Sequence, residues 1–116
     1  MTSPPAVEIT TDDYQRTPIP LTLNDTSPIM IYHYSPRKTP SNGATCILFH
    51  GFQKSILNPT DERLAISLTN LGYQVFGVDA RNHGNSNGLN YAHFTPEYFP
   101  KAMVSDIAEI LEQIKT

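Results

Sequence analysis

The chain has 116 residues, a formal net charge of −3, 39% hydrophobic residues and a single cysteine. That length holds one α/β domain at most. The charge leaves no footprint for nucleic acid, no stretch reaches the roughly 18 apolar residues of a bilayer span, and one thiol makes no intrachain disulfide.

Met1-Thr2-Ser3-Pro4-Pro5 has neither a basic start nor an apolar core, so no secretory signal is read and the cytoplasm is the expected compartment. Residues 1–18 are polar and proline-bearing, and they read as a flexible lead-in to a domain over 19–116. Ile19-Pro20-Leu21-Thr22-Leu23 alternates apolar with other residues. Asn24-Asp25-Thr26-Ser27-Pro28 supplies turn chemistry, and Ile29-Met30-Ile31-Tyr32-His33-Tyr34 resumes an apolar, β-branched and aromatic run. This order predicts an antiparallel hairpin. Ser35 to Gly43, with its prolines, basic residues and Asn-Gly, marks an exposed connector.

Thr45-Cys46-Ile47-Leu48-Phe49 is a continuous apolar run, as expected of a strand buried on both faces of a parallel sheet. Asn58-Pro59 then reads as an N-cap followed by proline at the first helical position, with Asp61 and Glu62 suiting the helix dipole. Leu64, Ala65, Leu68 and Leu71 recur at helical spacing and predict one buried face. Gly72 ends that helix, and 73–79 form a second buried strand. Strand, helix and strand with short connections imply a right-handed crossover and a parallel pair. After a Gly/Asn-rich loop, a last helix begins near Thr95-Pro96-Glu97, and Pro100 marks its start or a first-turn kink. Val104, Ile107, Ala108, Leu111 and Ile114 form its apolar stripe. The fold class is α/β: an antiparallel hairpin, a βαβ unit and a trailing amphipathic helix.

Chemistry is concentrated after the two buried strands, where parallel sheets place their ligand crevice. At His50-Gly51-Phe52, glycine lets the chain bend sharply, so the Phe52 N–H is a candidate oxyanion donor. The same residues read equally well as an ordinary strand-ending turn. The second strand closes in Asp79-Ala80-Arg81-Asn82-His83-Gly84-Asn85-Ser86, a dense polar loop. Cys46, inside an apolar run, reads as a small hydrophobe, and the four histidines lack metal-ligand spacing. Tyr91, Phe94, Tyr98 and Phe99 read as packing residues before a helix, with a lipid-facing cap as the other reading. No Gly-x-Gly-x-x-Gly opens the first helix, so a dinucleotide site is not expected. No metal or cofactor is expected.

Taken in order, His-Gly-Phe, a helix closing in Leu-Gly-Tyr and a strand closing in Asp-x-Arg-x-His-Gly-x-Ser resemble the N-terminal part of an α/β-hydrolase. It is similar to the branch containing serine aminopeptidase-like proteins, monoacylglycerol lipases and lysophospholipases. The likeness covers about 19–116, with its motif-bearing core at about 45–88, and departs at Asn82, where glycine is usual. It implies that the Phe52 N–H gives one oxyanion donor, with His50 and Gly51 shaping its turn. It also implies that Asp79 orients the loop backbone and that Arg81, His83, Gly84 and Ser86 brace the loop rather than join a triad. Gly84-Asn85-Ser86-Asn87-Gly88 spells Gly-x-Ser-x-Gly, but Ser86 lies beyond the strand and no helix starts directly after it. A nucleophile elbow needs that strand-to-helix turn, so Ser86 is read as a decoy.

By the same resemblance, the nucleophile, acid and histidine belong to polypeptide beyond Thr116, and the strand at 45–49 is flanked by an absent elbow strand. The expected function is therefore the N-terminal part of a serine hydrolase of ester or lipid type, inactive alone, taking a small ester or lipid once completed. An open strand edge with no neighbour invites self-association or marginal folding. The alternative is a non-catalytic module that binds a partner chain through that edge.

Overall fold

The computed structural model describes residues 7–24, 26, 28–50, 56–79, 86 and 98–114, with side chains of the last helix from Val104 onward. Among them, strands β1 (Ile9–Thr10), β2 (Tyr14–Thr22), β3 (Pro28–Pro36), β4 (Thr45–Phe49) and β5 (Gln74–Asp79) form one sheet of order β1-β2-β3-β5-β4. Helices α1 (Pro59–Asn70) and α2 (Tyr98–Ile114) complete the elements.

The hairpin expected from the sequence is β2 and β3, antiparallel from Tyr14↔Pro36 to Thr22↔Pro28. It begins earlier than its alternation suggested. Residues 9–10 and 14–18, read as a flexible lead-in, are strand. Pro18 and Pro20 hid this, because proline donates nothing to a ladder. β1 covers β2 only at Gln15 and Arg16, so beside both prolines the outer edge has no neighbouring strand among the described residues. There a missing N–H costs nothing.

β4 and β5 pair in parallel from Thr45↔Gln74 to Phe49↔Val78, and β3 pairs antiparallel with β5. The βαβ unit is therefore as its sequence predicted. Alternation along the strands sends Tyr32, Tyr34, Val75, Cys46 and Leu48 to one face, where Ala65 and Leu68 of α1 meet them. Ile29, Ile31, Val78, Ile47 and Phe76 go to the opposite face, beneath Ile110 and Ile114 of α2. Cys46 is half-buried in the first of these clusters.

The Asn58 side chain caps α1 by accepting from the Asp61 N–H at 3.0 Å, with Pro59 at the helix start. Gly72 follows the helix at φ +102°, a left-handed position that glycine reaches without Cβ strain, and a Cβ there would meet Pro40 O at 2.6 Å. The expected face is buried only in part, through Ala65 and Leu68. Ala65 and Thr69 are buried, whereas Leu64 is 48% exposed and Leu71 67%. In α2, likewise, Asp106 and Ile110 are buried while Val104 and Leu111 stand exposed. Both helices present to the sheet a face rotated from their most apolar stripe. Pro100 sits in the first turn of α2, where its missing N–H breaks no helical bond.

The first turn of α1 is tied to the hairpin by an ion pair whose arginine is buried and whose glutamate is partly exposed. Arg16 Nη1 donates to Glu62 Oε2 at 2.6 Å, and the Tyr34 hydroxyl donates to the same oxygen at 3.2 Å. The Arg16 guanidinium also lies 5.3 Å from the Tyr32 ring centroid. Burial holds the Tyr34 hydroxyl above its ordinary pKa, the Glu62 carboxylate raises it further, and Arg16 opposes both. A freed tyrosine ionises near pH ~10 while the folded one keeps its proton, so above that pH the unfolded state binds fewer protons. Stability from this group is complete below about pH 10 and drains away as pH rises beyond it. Urea midpoints should drop across that range, and Tyr34→Phe should flatten the drop. An identical drop in the variant would refute the assignment.

Candidate functional site

The register Phe49↔Val78 brings β4 and β5 to their carboxyl ends together, so His50 and Asp79 leave the sheet side by side. His50 is buried at 8% exposure and Asp79 is wholly buried. Asp79 Oδ1 accepts from the Ile56 N–H at 2.7 Å. Ile56, itself buried, begins the turn that leads into α1, so the chain leaving β4 at His50 returns under the control of β5.

Glycine at position 77 makes that return possible. A Cβ there would meet Ile56 Cγ1 at 2.9 Å, closer than carbon contacts allow. Ile56 thus packs directly on the β5 backbone, two residues before the carboxylate that holds its amide. A glycine inside a strand signals such a close approach, although nothing local named Ile56 as the partner.

Ser86 closes the other side. It is completely buried, its hydroxyl donates to Asp79 O at 2.5 Å, and its Oγ accepts from the Met30 N–H at 2.6 Å. Met30 and Asp79 are partners in the β3–β5 ladder, so Ser86 stitches the end of that ladder. Ile56, Gly77 and Met30 are site residues that sequence reasoning missed; Ile56 and Met30 act through backbone amides, which leave no trace in residue type.

The structure therefore brings His50, Asp79 and Ser86 to one end of the sheet. Gly51, Phe52, Arg81, His83 and Gly84 lie outside the described residues. Among the described residues no group of three or more His, Cys, Asp or Glu side chains is placed to hold a metal ion, and no helix is long and apolar enough to cross a membrane.

A second feature lies on the α2 face of the sheet, beside the outer edge of β4, which has no further strand among the described residues. An open groove of about 520 Å³ is lined by Ile47, Phe76, Leu111 and Ile114, with His33, Thr45 and Gln74 supplying polar groups. His33 stacks on Phe76 at 4.4 Å between centroids and 4° between planes, and its Nε2 shares a 2.6 Å hydrogen bond with Gln74 Oε1.

No protein-family model matches the sequence, and no curated relative matches it. Solved structures do resemble the fold. A PEG-bound complex of a cold-adapted esterase from an Arctic intertidal metagenomic library matches with TM-score 0.71 and 17% identity, over 99% of this chain and 50% of that one. The Pyrococcus furiosus esterase Pf2001 matches with TM-score 0.62 and 20% identity, over 99% of this chain and 41% of that one. Brefeldin A esterase, a bacterial homologue of human hormone sensitive lipase, matches with TM-score 0.60 and 16% identity, over 95% and 31%. This chain thus spans half or less of the length of these proteins. At such identities the likeness is one of fold, and the strand order and helix placement carry it.

Proposed function

We propose, for a chain that has the N-terminal part of an α/β-hydrolase fold, that it is the front half of a serine-type carboxylic ester hydrolase. Esters of lipid or acyl type are the proposed substrates. The observation that carries this reading is the Asp79–Ile56 hydrogen bond. It ties Ile56, which leads into α1, to the end of β5 next to His50. In this reading the Phe52 N–H stabilises the oxyanion that forms when a hydroxyl attacks the ester carbonyl. His50 and Gly51 shape that turn, while Asp79, Arg81, His83, Gly84 and Ser86 support the neighbouring loop. The attacking serine, the acid and the histidine are assigned to polypeptide beyond Thr116. A cytoplasmic location belongs to the same proposal.

Burial and two occupied hydrogen-bonding positions support Ser86 as a brace and not a nucleophile. Purified chain treated with a fluorophosphonate probe should remain unlabelled at Ser86. Its turnover of p-nitrophenyl acetate should equal that of a Ser86→Ala variant. Stoichiometric labelling at Ser86 would sink the assignment. Reading the coding sequence past codon 116 tests the wider proposal: an apolar strand ending in Gly-x-Ser-x-Gly supports it, because that is the elbow context.

The second reading is a module that binds a polypeptide through the β4 edge. It is favoured by the uncharged sequence Thr45-Cys46-Ile47-Leu48-Phe49 on that edge and by the apolar groove beside it. Self-association through the same edge belongs to this reading. Sedimentation that stays monomeric at high concentration and is unchanged by Ile47→Lys would count against it.

A further inference from the structure

The Asn42–Gly43 peptide lies at the opposite end of the sheet from the site, where the connector leads into β4. Asn42 and Gly43 are exposed. The Asn42 side chain folds back over the following peptide, its Oδ1 accepting from the Ala44 N–H at 2.9 Å. Gly43 adopts φ +79°, and nothing lies within 4 Å of the place a Cβ would take. Its own N–H makes only a long, exposed bond of 3.2 Å to Ser41 Oγ.

We propose that this turn is a site of spontaneous backbone modification in the folded protein, through a cyclic imide. Three features converge on it. The Ala44 N–H polarises the carboxamide carbonyl, as a donor at a developing oxyanion does. The Asx turn holds the side chain curled toward the Gly43 amide. The missing side chain at 43 leaves the nitrogen unshielded. The Gly43 nitrogen attacks Cγ of Asn42; a nitrogen–Cγ bond forms, the Cγ–Nδ2 bond breaks, and the Gly43 amide proton departs with Nδ2 as ammonia. Water then opens the five-membered imide at either carbonyl, giving aspartate or isoaspartate at 42.

The two products differ in their effect on the fold. Aspartate keeps the oxygen that accepts from Ala44. Isoaspartate adds a backbone methylene between two clamps: the Asn42 N–H bonded to Gly72 O at 2.9 Å, and Ala44 O bonded to the Gln74 N–H at 3.0 Å. The second of these starts the β4–β5 pairing, so the isoaspartyl form loosens the beginning of β4.

Incubation of the full chain in mildly alkaline buffer, followed by peptide mapping, tests this. The Asn42 peptide of the folded protein should gain the mass difference between an amide and an acid and split into two isomers, one accepted by an isoaspartyl methyltransferase. Asn42→Gln, whose ring would need six members, should show neither change. An Asn42 peptide that stays intact in the folded chain while the urea-unfolded chain converts would overturn the proposal. In the isolated isoaspartyl fraction, the Gln74 amide should exchange with solvent faster than in the aspartyl fraction. Equal exchange would overturn the coupling to β4.

Discussion

Asp79→Ala is expected to lower stability by about 3 kcal/mol, since the side-chain acceptor is lost and the buried Ile56 amide is left without one. The effect has a local signature. Protection of the Ile56 amide from hydrogen exchange should collapse toward that of an unfolded segment, while Ala65 in the middle of α1 retains protection relative to the new global stability. Asp79→Asn keeps an acceptor oxygen in place and should recover much of the loss. Under the proposed function, Asp79→Ala in a completed ester hydrolase carrying this half should also lower kcat, by about a hundredfold where it displaces the proposed Phe52 donor. An Asp79→Ala protein with wild-type urea midpoint and an unchanged Ile56 amide would remove the support for the proposed site.

The Arg16–Glu62 pair offers the second large effect, and it should be asymmetric. Arg16 is 6% exposed along its side chain and Glu62 32%. Glu62→Ala strands a buried guanidinium whose Nε already has no hydrogen-bond partner, and the expected cost is about 3 kcal/mol. Arg16→Met leaves a carboxylate that water still reaches in part, and it should cost clearly less. Replacing both, as Arg16→Met with Glu62→Leu, should return stability to within about 1 kcal/mol of wild type, because desolvation of both charges disappears with their attraction. Urea melts of the four proteins form the double-mutant cycle. Additive losses in the double variant would show that the pair is not coupled.

The two predictions concern residues that were unequally legible. Asp79 announced itself as the polar end of an apolar strand, next to a second strand with the same ending. Glu62 was visible only as a favourable charge in a helix first turn, and Arg16 lay in a stretch read as unstructured. The difference is range. A strand end or an N-cap is written within a few residues, so Asn58, Pro59, Gly72 and the two apolar runs were readable one window at a time. An ion pair across 46 positions is not.

The same distinction holds at the site. Ser86 was read as a loop brace from its distance to the strand end, which is local information. That its hydroxyl instead joins β3 to β5 depends on Met30, 56 residues earlier. Ile56 contributes through an amide that every residue but proline possesses, so no pattern of side chains could single it out.

By itself, the amino-acid order determined the hairpin, the parallel βαβ unit, the cap and stop of the first helix, and the place where polar chemistry gathers. Periodicity and backbone preference act over one or two turns, and they carry this much. Tertiary structure alone decided which helix face is buried, how far the first strand extends through its prolines, and which amides Asp79 and Ser86 hold. Those outcomes depend on what lies opposite each residue. Leu64, Leu71, Val104 and Leu111 are exposed because the sheet meets their helices on another face.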